Sequence, residues 1–352
     1  MLRKLALLLA LVSFLGLALA GLAPAFQPND PLYPQQWGLK AIGMEAAWDL
    51  QMGGRQDVTV AVLDNGIACS VKRDYAKRTA TYYYHDLANL DTDHSLDFYY
   101  WDTFPYYEYS STYVAHGNVT AGIIGQRTNN DYGAAGIAFN TTLMMEKMLG
   151  SVVTPYAYNA PLQAIRYAVD EGADVINASW GTYSEYPGLA EACQYAYDHG
   201  VLVVASAGNS DLPFACDPAY FSSTLSVGAV DQNKNKADFS NFPLEDGQFG
   251  LMAPGVDIAQ TYNPYDPNGY YPVDGTSFAA PMVSGVAALV LSEAKDLGLN
   301  LPDKGPARVD WLRNVLCGTA EDLGEAGVDA TTGWGMLRAD QALAYLQGGG
   351  GL

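Results

Sequence analysis

Residues 275–285 read Gly275-Thr276-Ser277-Phe278-Ala279-Ala280-Pro281-Met282-Val283-Ser284-Gly285, and the apolar run from Val286 to Leu291 follows them at helical length. This pattern predicts a turn that leads into a buried helix, with Ser277 at or near its start. The first backbone N–H groups of a helix have no partner within the helix, and the helix dipole favours negative charge there. Ser277 is therefore either a simple N-cap or a nucleophile whose alkoxide this position stabilises.

Two further runs help to decide whether Ser277 is an N-cap or a nucleophile. The β-branched run from Val58 to Leu63 has the pattern of a buried parallel strand. It ends at Asp64, and the carboxyl ends of such strands are where open α/β sheets place their sites. His116 opens a second helix of small residues, which extends to Gly125. The chain thus holds an acid, a histidine and a serine, each at the end of a regular element.

These runs resemble the motifs of the subtilisin-like serine proteases. The resemblance lies in Asp64-Asn65-Gly66, in His116-Gly117 with Ala121-Gly122, and in Gly275-Thr276-Ser277 with Ala279-Ala280-Pro281. The order Asp, His, Ser along the chain is that of this family. The run Asn29 to Leu39 is similar to the start of the mature domain in thermitase-like members. The resemblance implies an α/β fold of three layers, with a largely parallel central sheet between helices, and a secreted serine endopeptidase.

The resemblance also implies a role for single residues. Asp64 would orient His116, and His116 would take the proton of Ser277 as it attacks a peptide carbonyl. Asn209, in the run Ala207-Gly208-Asn209, would hold the oxyanion together with the Ser277 N–H. Two segments would line the substrate cleft: Ser179, Trp180 and Gly181, and Ser206, Ala207 and Gly208.

Two loops are candidates for Ca²⁺. By the same resemblance, Asp30, Asp74 and Asn130 would hold one ion, although Asn and Gly in the loop after residue 128 also suit an ordinary turn. The second loop has alternating carboxylates, namely Asp91, Asp93 and Asp97, with Asp102 following. Such spacing is typical of an oxygen-rich calcium loop, but Leu96 stands where an EF-hand needs Gly.

Composition limits the partners. The chain has 352 residues, 49% of them hydrophobic, and a formal net charge of −20 with a pI near 4.3. That apolar content suffices for a sizeable core, and the acidity excludes nucleic acid and anionic membranes as partners. We expect protein or peptide substrates, a monomer, and carboxylates available for Ca²⁺.

The chain divides into four segments. Residues 1–20 have a basic start, an apolar run and an Ala-x-Ala end, which predicts a secretory signal peptide, with an uncleaved anchor as the alternative. Residues 21–28 are too few for the propeptide of most secreted subtilases, so we expect none. Residues 29–346 form the peptidase domain, and the glycine-rich residues 347–352 a flexible tail.

The cysteines number four, Cys69, Cys193, Cys216 and Cys317. An even number in an exported chain predicts disulfides. Cys193 with Cys216 is the first expected pair, because the two segments flank one strand.

Two alternative functions stay open. One is a processing protease of narrow specificity for a single partner, which the missing propeptide favours. The other is a catalytically silent binding protein, with the aromatic insertion from Tyr75 to Tyr113 as its contact surface.

Overall fold

The computed structural model describes residues 25–74, 79–84, 86–102, 105, 116–150, 159–243, 248–260 and 272–350, with the backbone alone at 69–74 and 79–84. The predicted signal peptide lies outside the described residues. The helices are α1 (Trp37–Ala41), α2 (Met44–Leu50), α3 (His116–Gly125), α4 (Ala160–Asp170), α5 (Leu189–Asp198), α6 (Thr276–Asp296), α7 (Pro306–Gly318) and α8 (Ala339–Gln347), and a short 3-10 turn spans Tyr33–Gln35. The strands are β1 (Thr59–Asp64), β2 (Cys69–Asp74), β3 (Thr79–Tyr84), β4 (Leu96–Asp97), β5 (Thr142–Lys147), β6 (Val175–Ala178), β7 (Leu202–Ser206), β8 (Thr224–Val230) and β9 (Phe249–Pro254).

Seven of these strands form one parallel sheet in the order β4-β5-β1-β6-β7-β8-β9. β1 has partners on both sides, with Ala61 opposite Met144 of β5 and Ile176 of β6. Strands buried on both faces read as continuous apolar runs, as β1 and β7 do. β2 and β3 form a separate antiparallel pair.

Helices cover both faces of the sheet. One apolar cluster joins α3, α6, α7 and α8 to one face, and a second joins α4 and α5 to the other. The prediction of a three-layer α/β fold with a parallel sheet between helices is confirmed. Within the described residues one helix, α6, is long and apolar enough to cross a membrane, and 94% of that window is buried in the protein, as a core helix requires.

This topology gathers the predicted site at one edge. Asp64 ends β1, Ser179 follows β6, and Ser206 ends β7. Parallel neighbours bring their carboxyl ends to the same edge of the sheet, and the amino end of α6 reaches that edge as well.

A chain of buried hydrogen bonds fixes α6 on the sheet. Ser284 Oγ, in α6, donates to Asn177 Oδ1 of β6 at 2.9 Å. Asn177 Nδ2 donates to Ser179 Oγ at 2.9 Å, and Ser179 Oγ donates to the Ser277 carbonyl at 2.8 Å. Ser284 and Asn177 are fully buried. The polar atoms that hold the start of α6 are therefore satisfied without water.

The expected disulfide is wrong. Cys193, Cys216 and Cys317 are all free, buried thiols. Cys193 packs in the apolar layer of α4 and α5, whereas the Cys216 thiol donates to the Ser206 carbonyl at 3.5 Å. The two sulfur atoms therefore contact different groups, although their segments flank one strand. Cys69 lies in β2, where only the backbone is described.

The predicted tail begins one residue too early. Gln347 is the last residue of α8, and its side-chain amide donates to Glu293 of α6. Gly350 still donates a backbone hydrogen bond to the Tyr345 carbonyl at 2.9 Å.

We predict that Asn177→Ala lowers the free energy of unfolding by about 2–4 kcal/mol, because each of two buried hydroxyls loses one of its hydrogen bonds and a small cavity opens. Urea unfolding monitored by fluorescence measures this. Gln163→Ala, on the exposed side of α4, is the control and should change stability by less than about 0.5 kcal/mol. Equal midpoints for the two variants would contradict the role of Asn177.

Candidate active site

Asp64 is a fully buried carboxylate with three donors. Its Oδ1 accepts the Asn65 N–H at 2.7 Å, and its Oδ2 accepts the Thr120 hydroxyl at 3.0 Å. His116 Nδ1 lies 2.8 Å from Oδ1 and 2.9 Å from Oδ2. A buried carboxylate stays ionised when several donors replace its water. Asp64 is thus equipped to fix one tautomer of the imidazole.

His116 is the first residue of α3, and its side chain is 26% exposed. Burial lowers the pKa of His116, but the charge of Asp64 and the hydrogen bond to it outweigh burial, so the pKa is raised above its usual 6.5. The ring also packs against Phe278, with centroids 5.4 Å apart. The imidazole is held by Asp64 on one side while its other edge stays accessible.

Ser277 is the second residue of α6, as the sequence predicts. Its hydroxyl donates to the Ser179 carbonyl at 3.1 Å, and among the described residues it makes no hydrogen bond to His116. Rotation about the Cα–Cβ bond of Ser277 is enough to turn the hydroxyl to a different rotamer. Its backbone N–H lies in the first turn of α6, where N–H groups have no partner within the helix.

Asn209 has a fixed amide. Its Oδ1 accepts both the N–H and the hydroxyl of Thr276, at 2.9 and 2.8 Å. The same hydroxyl accepts the Gly208 N–H at 3.2 Å. Because the oxygen is tied down, the Nδ2 donor of this exposed residue is directed to the other side, beside Gly275. An oriented donor next to the Ser277 N–H is what an oxyanion needs.

The two predicted substrate segments lie at the carboxyl ends of adjacent strands, β6 and β7. Gly181 is pressed against Cys216, since a Cβ on Gly181 would lie 2.2 Å from Sγ. Trp180 packs against the apolar layer of α4 and α5. The segment Ser206, Ala207 and Gly208 is supported from below by the fully buried Asn241, which donates to the Ala207 carbonyl at 3.0 Å.

The first calcium loop is only partly as predicted. Asp30 accepts the N–H groups of Asn129 and Asn130, at 2.7 and 3.3 Å. Asn130 Nδ2 donates to Asp86 at 2.6 Å, so Asp86 is a further carboxylate of this loop. Asp74 lies in β2, where only the backbone is described, and its place in the site stays a prediction.

Asp30 and Asp86 repel each other across this loop. Burial raises the pKa of Asp86 to about 6; hydrogen bonds from Gln126 and Asn130 lower it, and the charge of Asp30 raises it again. Burial likewise raises the pKa of Asp30, opposed by the Asn129 and Asn130 N–H groups. Two carboxylates and side-chain amide oxygens are donors that suit Ca²⁺.

The second calcium loop, Asp91 to Asp102, is not formed. Asp91 accepts the Asp93 N–H at 2.9 Å and contacts His94 Nδ1 at 2.7 Å. Asp97 is buried and pairs with Lys147 at 2.8 Å. Asp102 is joined to Asp97 through backbone hydrogen bonds. In the described part of the chain no three carboxylate, histidine or cysteine side chains converge on a metal position. The alternation of acids there reflects turn chemistry and a buried ion pair.

Sequence reasoning overlooked four residues that support the site. They are Thr120, which binds Asp64; Thr276, which orients Asn209; Asn241, which supports the Ala207 backbone; and Asp86. Thr120 lies in the motif that begins at His116, and Thr276 lies directly before Ser277, so both belong to motifs that the neighbouring residues identify. Asp86 could have been considered as a candidate from the sequence, because it follows His85 within the enlarged loop.

Comparison with known proteins agrees with this geometry. A sequence profile described as the subtilase family, Peptidase S8, matches residues 55–335. The chain belongs to the subtilase family. Its relatives are named as subtilisin-like serine proteases, and this subtilase is accordingly a serine protease by family.

Three relatives illustrate the match. Subtilisin DY of Bacillus licheniformis is 37% identical over 222 residues, which is 62% of this chain and 74% of that protein. Thermitase of Thermoactinomyces vulgaris is 32% identical over 77% of this chain and 87% of its own length. The halolysin-like extracellular serine protease Nep of Natrialba magadii is 34% identical over 90% of this chain, which spans about half, 52%, of that relative.

Solved structures share the fold. A lanthipeptide protease has a TM-score of 0.72 at 25% identity, covering 92% of this subtilase and 100% of that chain. A prenylagaramide maturation protease has a TM-score of 0.64 at 28% identity, covering 87% and 99%. The thermitase-like resemblance read from the motifs is therefore confirmed at the level of family and fold.

We predict that the NMR-measured pKa of His116 in this subtilase lies above 6.5, and that Asp64→Asn brings it below 6.5. Removal of the carboxylate charge leaves burial, which disfavours the imidazolium. In the wild type, protonated His116 contributes stability that is complete below pH 6.5 and is lost as the pH rises through the higher folded pKa. An unchanged pKa in Asp64→Asn would show that the two side chains are not coupled.

Proposed function

We propose that the protein is an endopeptidase that acts through Asp64, His116, Ser277 and Asn209. One observation supports this most strongly. The buried Asp64 holds His116 through two short contacts at the sheet edge where α6 presents Ser277. The oriented amide of Asn209 completes the set of an acid, a base, a nucleophile and an oxyanion donor.

The reaction begins with rotation of the Ser277 hydroxyl away from the Ser179 carbonyl. His116 Nε2 accepts the hydroxyl proton as Oγ bonds to the carbonyl carbon of the scissile peptide, and the carbonyl oxygen becomes an oxyanion. Asn209 Nδ2 and the Ser277 N–H donate hydrogen bonds to it. Asp64 stabilises the imidazolium.

Collapse of this tetrahedral intermediate breaks the C–N bond. The imidazolium of His116 gives its proton to the leaving amine, and the acyl group remains as an ester on Ser277. Water then repeats the sequence in reverse roles and frees the carboxylate product. Since neutral imidazole is the base, turnover falls as the pH drops through the raised pKa of His116.

Extended peptide is the proposed substrate. Its backbone would lie between Ser179–Gly181 and Ser206–Gly208, which follow or end neighbouring strands and offer backbone donors and acceptors to a further strand. We propose that the protein is secreted as a monomer, with residues 1–20 as the signal peptide and residues 29–346 as the peptidase domain. The extracellular relative from Natrialba magadii is consistent with secretion.

A processing protease is the second candidate. The observation in its favour is the similarity in fold to a prenylagaramide maturation protease. A profile against a peptide library separates the two. Cleavage concentrated at one sequence motif supports processing, and cleavage of many sequences supports a general endopeptidase. The silent binding protein is disfavoured, because no member of the catalytic set is missing.

Calcium is proposed at the Asp30 and Asp86 loop. Asn129 and Asn130 connect this loop to Asp30 near the amino end of the described chain, so a cation there would tie that end to the body of the fold. It would also offset the burial that raises both carboxyl pKa values, and the charge of Asp30 that raises the pKa of Asp86 further. Asp30, Asp86 and Asn130 would hold the ion through oxygen atoms, and its contribution would be structural.

We predict that a fluorophosphonate probe labels the wild type at Ser277 and fails to label Ser277→Ala. The same substitution should lower kcat by about 10³-fold or more, because it removes the hydroxyl that forms the acyl-enzyme in the proposed mechanism. Mass spectrometry of the labelled peptide and a casein assay measure both effects. Ser210→Ala, an exposed serine next to Asn209, is the matched control and should retain labelling. Labelling at another serine would refute the assignment.

We predict that Ca²⁺ at a hundredfold excess over Kd stabilises the fold by about 2.7 kcal/mol, and that this raises Tm by at least about 2 °C at pH 7. A raised carboxyl pKa means that the metal-free protein loses stability as the pH rises from 3.8 through about 6. The gain from Ca²⁺ should therefore shrink at pH 5. Calorimetry of the wild type, of Asp30→Asn with Asp86→Asn, and of the exposed control Asp303→Asn checks this. A gain that persists in the double variant would place the ion elsewhere.

A further inference from the structure

A second cavity lies at the opposite edge of the sheet from Ser277. Its volume is about 420 Å³, within the range of small-molecule sites. Its lining comes from α5, from the turn before β8, from the first residue of β9 and from α7: Gln194, Tyr197, Ser222, Ser223, Phe249, Asp310, Arg313 and Asn314. β8 and β9 begin here and run toward the candidate active site, and a strand of this length spans about 23 Å. The cavity is thus separate from the substrate cleft.

Arg313 is the unusual member of this lining. It is 2% exposed, and its guanidinium lies 5.2 Å from the ring centre of Tyr197 and 5.3 Å from that of Phe249. Its Nε and Nη2 have no hydrogen-bond partner in the described part of the protein. Because a guanidinium stays charged in proteins, these buried N–H donors are not removed by deprotonation.

The carboxylate nearest to Arg313 does not serve these donors. Asp310 Oδ1 lies 3.6 Å from Nη1, which is beyond hydrogen-bond distance, and Asp310 Oδ2 accepts the Tyr197 hydroxyl at 2.9 Å. Burial lowers the pKa of Arg313, and the charge of Asp310 opposes this only in part. Asp310 thus partly offsets the positive charge of Arg313 but accepts no hydrogen bond from its Nε or Nη2.

We propose that this cavity binds a small molecule through one carboxylate, which meets the buried Nε and Nη2 edge of Arg313 once polar side chains of the lining move aside. These two nitrogens form a planar fork that matches the two oxygens of a carboxylate. A doubly charged phosphate fits less well, because it would face Asp310 in a chain of net charge −20.

The rest of the lining indicates the body of the ligand. Tyr197 and Phe249 flank the guanidinium and give this part of the lining an apolar, aromatic character that suits a flat apolar group. Ser222, Gln194 and Asn314 are exposed polar residues of the lining and can admit a ligand by side-chain movement. An aromatic or short aliphatic monocarboxylate combines both features, either as a free acid or as the carboxyl end of a peptide.

Binding is tested on the full chain carrying Ser277→Ala, so that self-digestion does not interfere. Titration calorimetry and thermal unfolding compare benzoate with benzamide, which is similar in shape but uncharged. Benzoate at tenfold excess over its Kd should raise Tm by about 2 °C, and benzamide should not. Inorganic phosphate should bind at least about tenfold more weakly than benzoate. Equal effects of benzoate and benzamide, or tighter binding of phosphate, would overturn the proposal.

Variants locate the effect. Arg313→Met should abolish benzoate binding. In case Arg313→Met does not fold, Asn314→Asp supplies an internal carboxylate beside the guanidinium from an exposed position. It should weaken benzoate binding at least about tenfold, whereas Asn300→Asp, with the same charge change at a residue outside the lining, should leave it unchanged. If both aspartates weakened benzoate binding equally, the effect would come from the net charge of the protein alone. That result would refute a specific binding site at Arg313.

The source of the carboxylate is distinguished by N-acetyl-Gly-Phe with a free carboxyl end. Tighter binding than benzoate, lost in its amide, assigns the cavity to peptide ends, and weaker binding assigns it to free acids. A crystal structure with benzoate that shows only an ordered water at Arg313 would overturn both assignments. Because every readout is binding, the outcome is independent of whether the proposed proteolysis is correct.

Discussion

The burial of α6 against the parallel sheet is the constraint on which the remaining features depend. A helix enclosed along nearly its whole length cannot leave hydroxyl or backbone groups unpaired. Ser284 and Ser179 are therefore joined through Asn177, and the same bonds reach the Ser277 carbonyl. Ser277, the proposed nucleophile, is thus positioned by the interactions that satisfy the core, and Thr276, one residue earlier, orients Asn209 in the same way.

Buried charge is handled in three different ways around this core. Asp64 accepts hydrogen bonds from three donors in place of water. Burial raises the pKa of Asp97, and the hydrogen bond and the charge of the buried Lys147 oppose this. Glu146 has neither kind of partner within the described residues; burial first, and then the charge of Glu171, raise its pKa well above the usual range. Only the first arrangement includes an imidazole, that of His116, which is the proposed base.

Arg313 and the Asp30–Asp86 pair are complementary exceptions to this pattern. The guanidinium has donors without acceptors, and the two carboxylates face each other with raised pKa values. The side chains already in contact with these groups relieve them only in part. Each therefore indicates a place where an external ion or molecule would lower the free energy of the folded state.

The sequence by itself determined the elements and the catalytic candidates, because both are encoded locally. The run from Val58 to Leu63 specifies a buried strand, and small residues around Ser277 followed by an apolar run specify a buried helix start. Asp64, His116 and Ser277 stand at the ends of such elements, so a parallel sheet brings them to one edge. Motif and periodicity therefore sufficed for the family, the layers and the candidate triad.

Tertiary structure alone decided which distant side chains meet. Asp86, which the sequence did not single out, reaches Asn130 across 44 positions of the chain. Asp97 pairs with Lys147 rather than with a metal ion, and Cys193 packs among apolar side chains whereas the Cys216 thiol donates to the Ser206 carbonyl. Each outcome depends on how elements pack across the sheet, and spacing along one strand or helix carries no information about the partner on another.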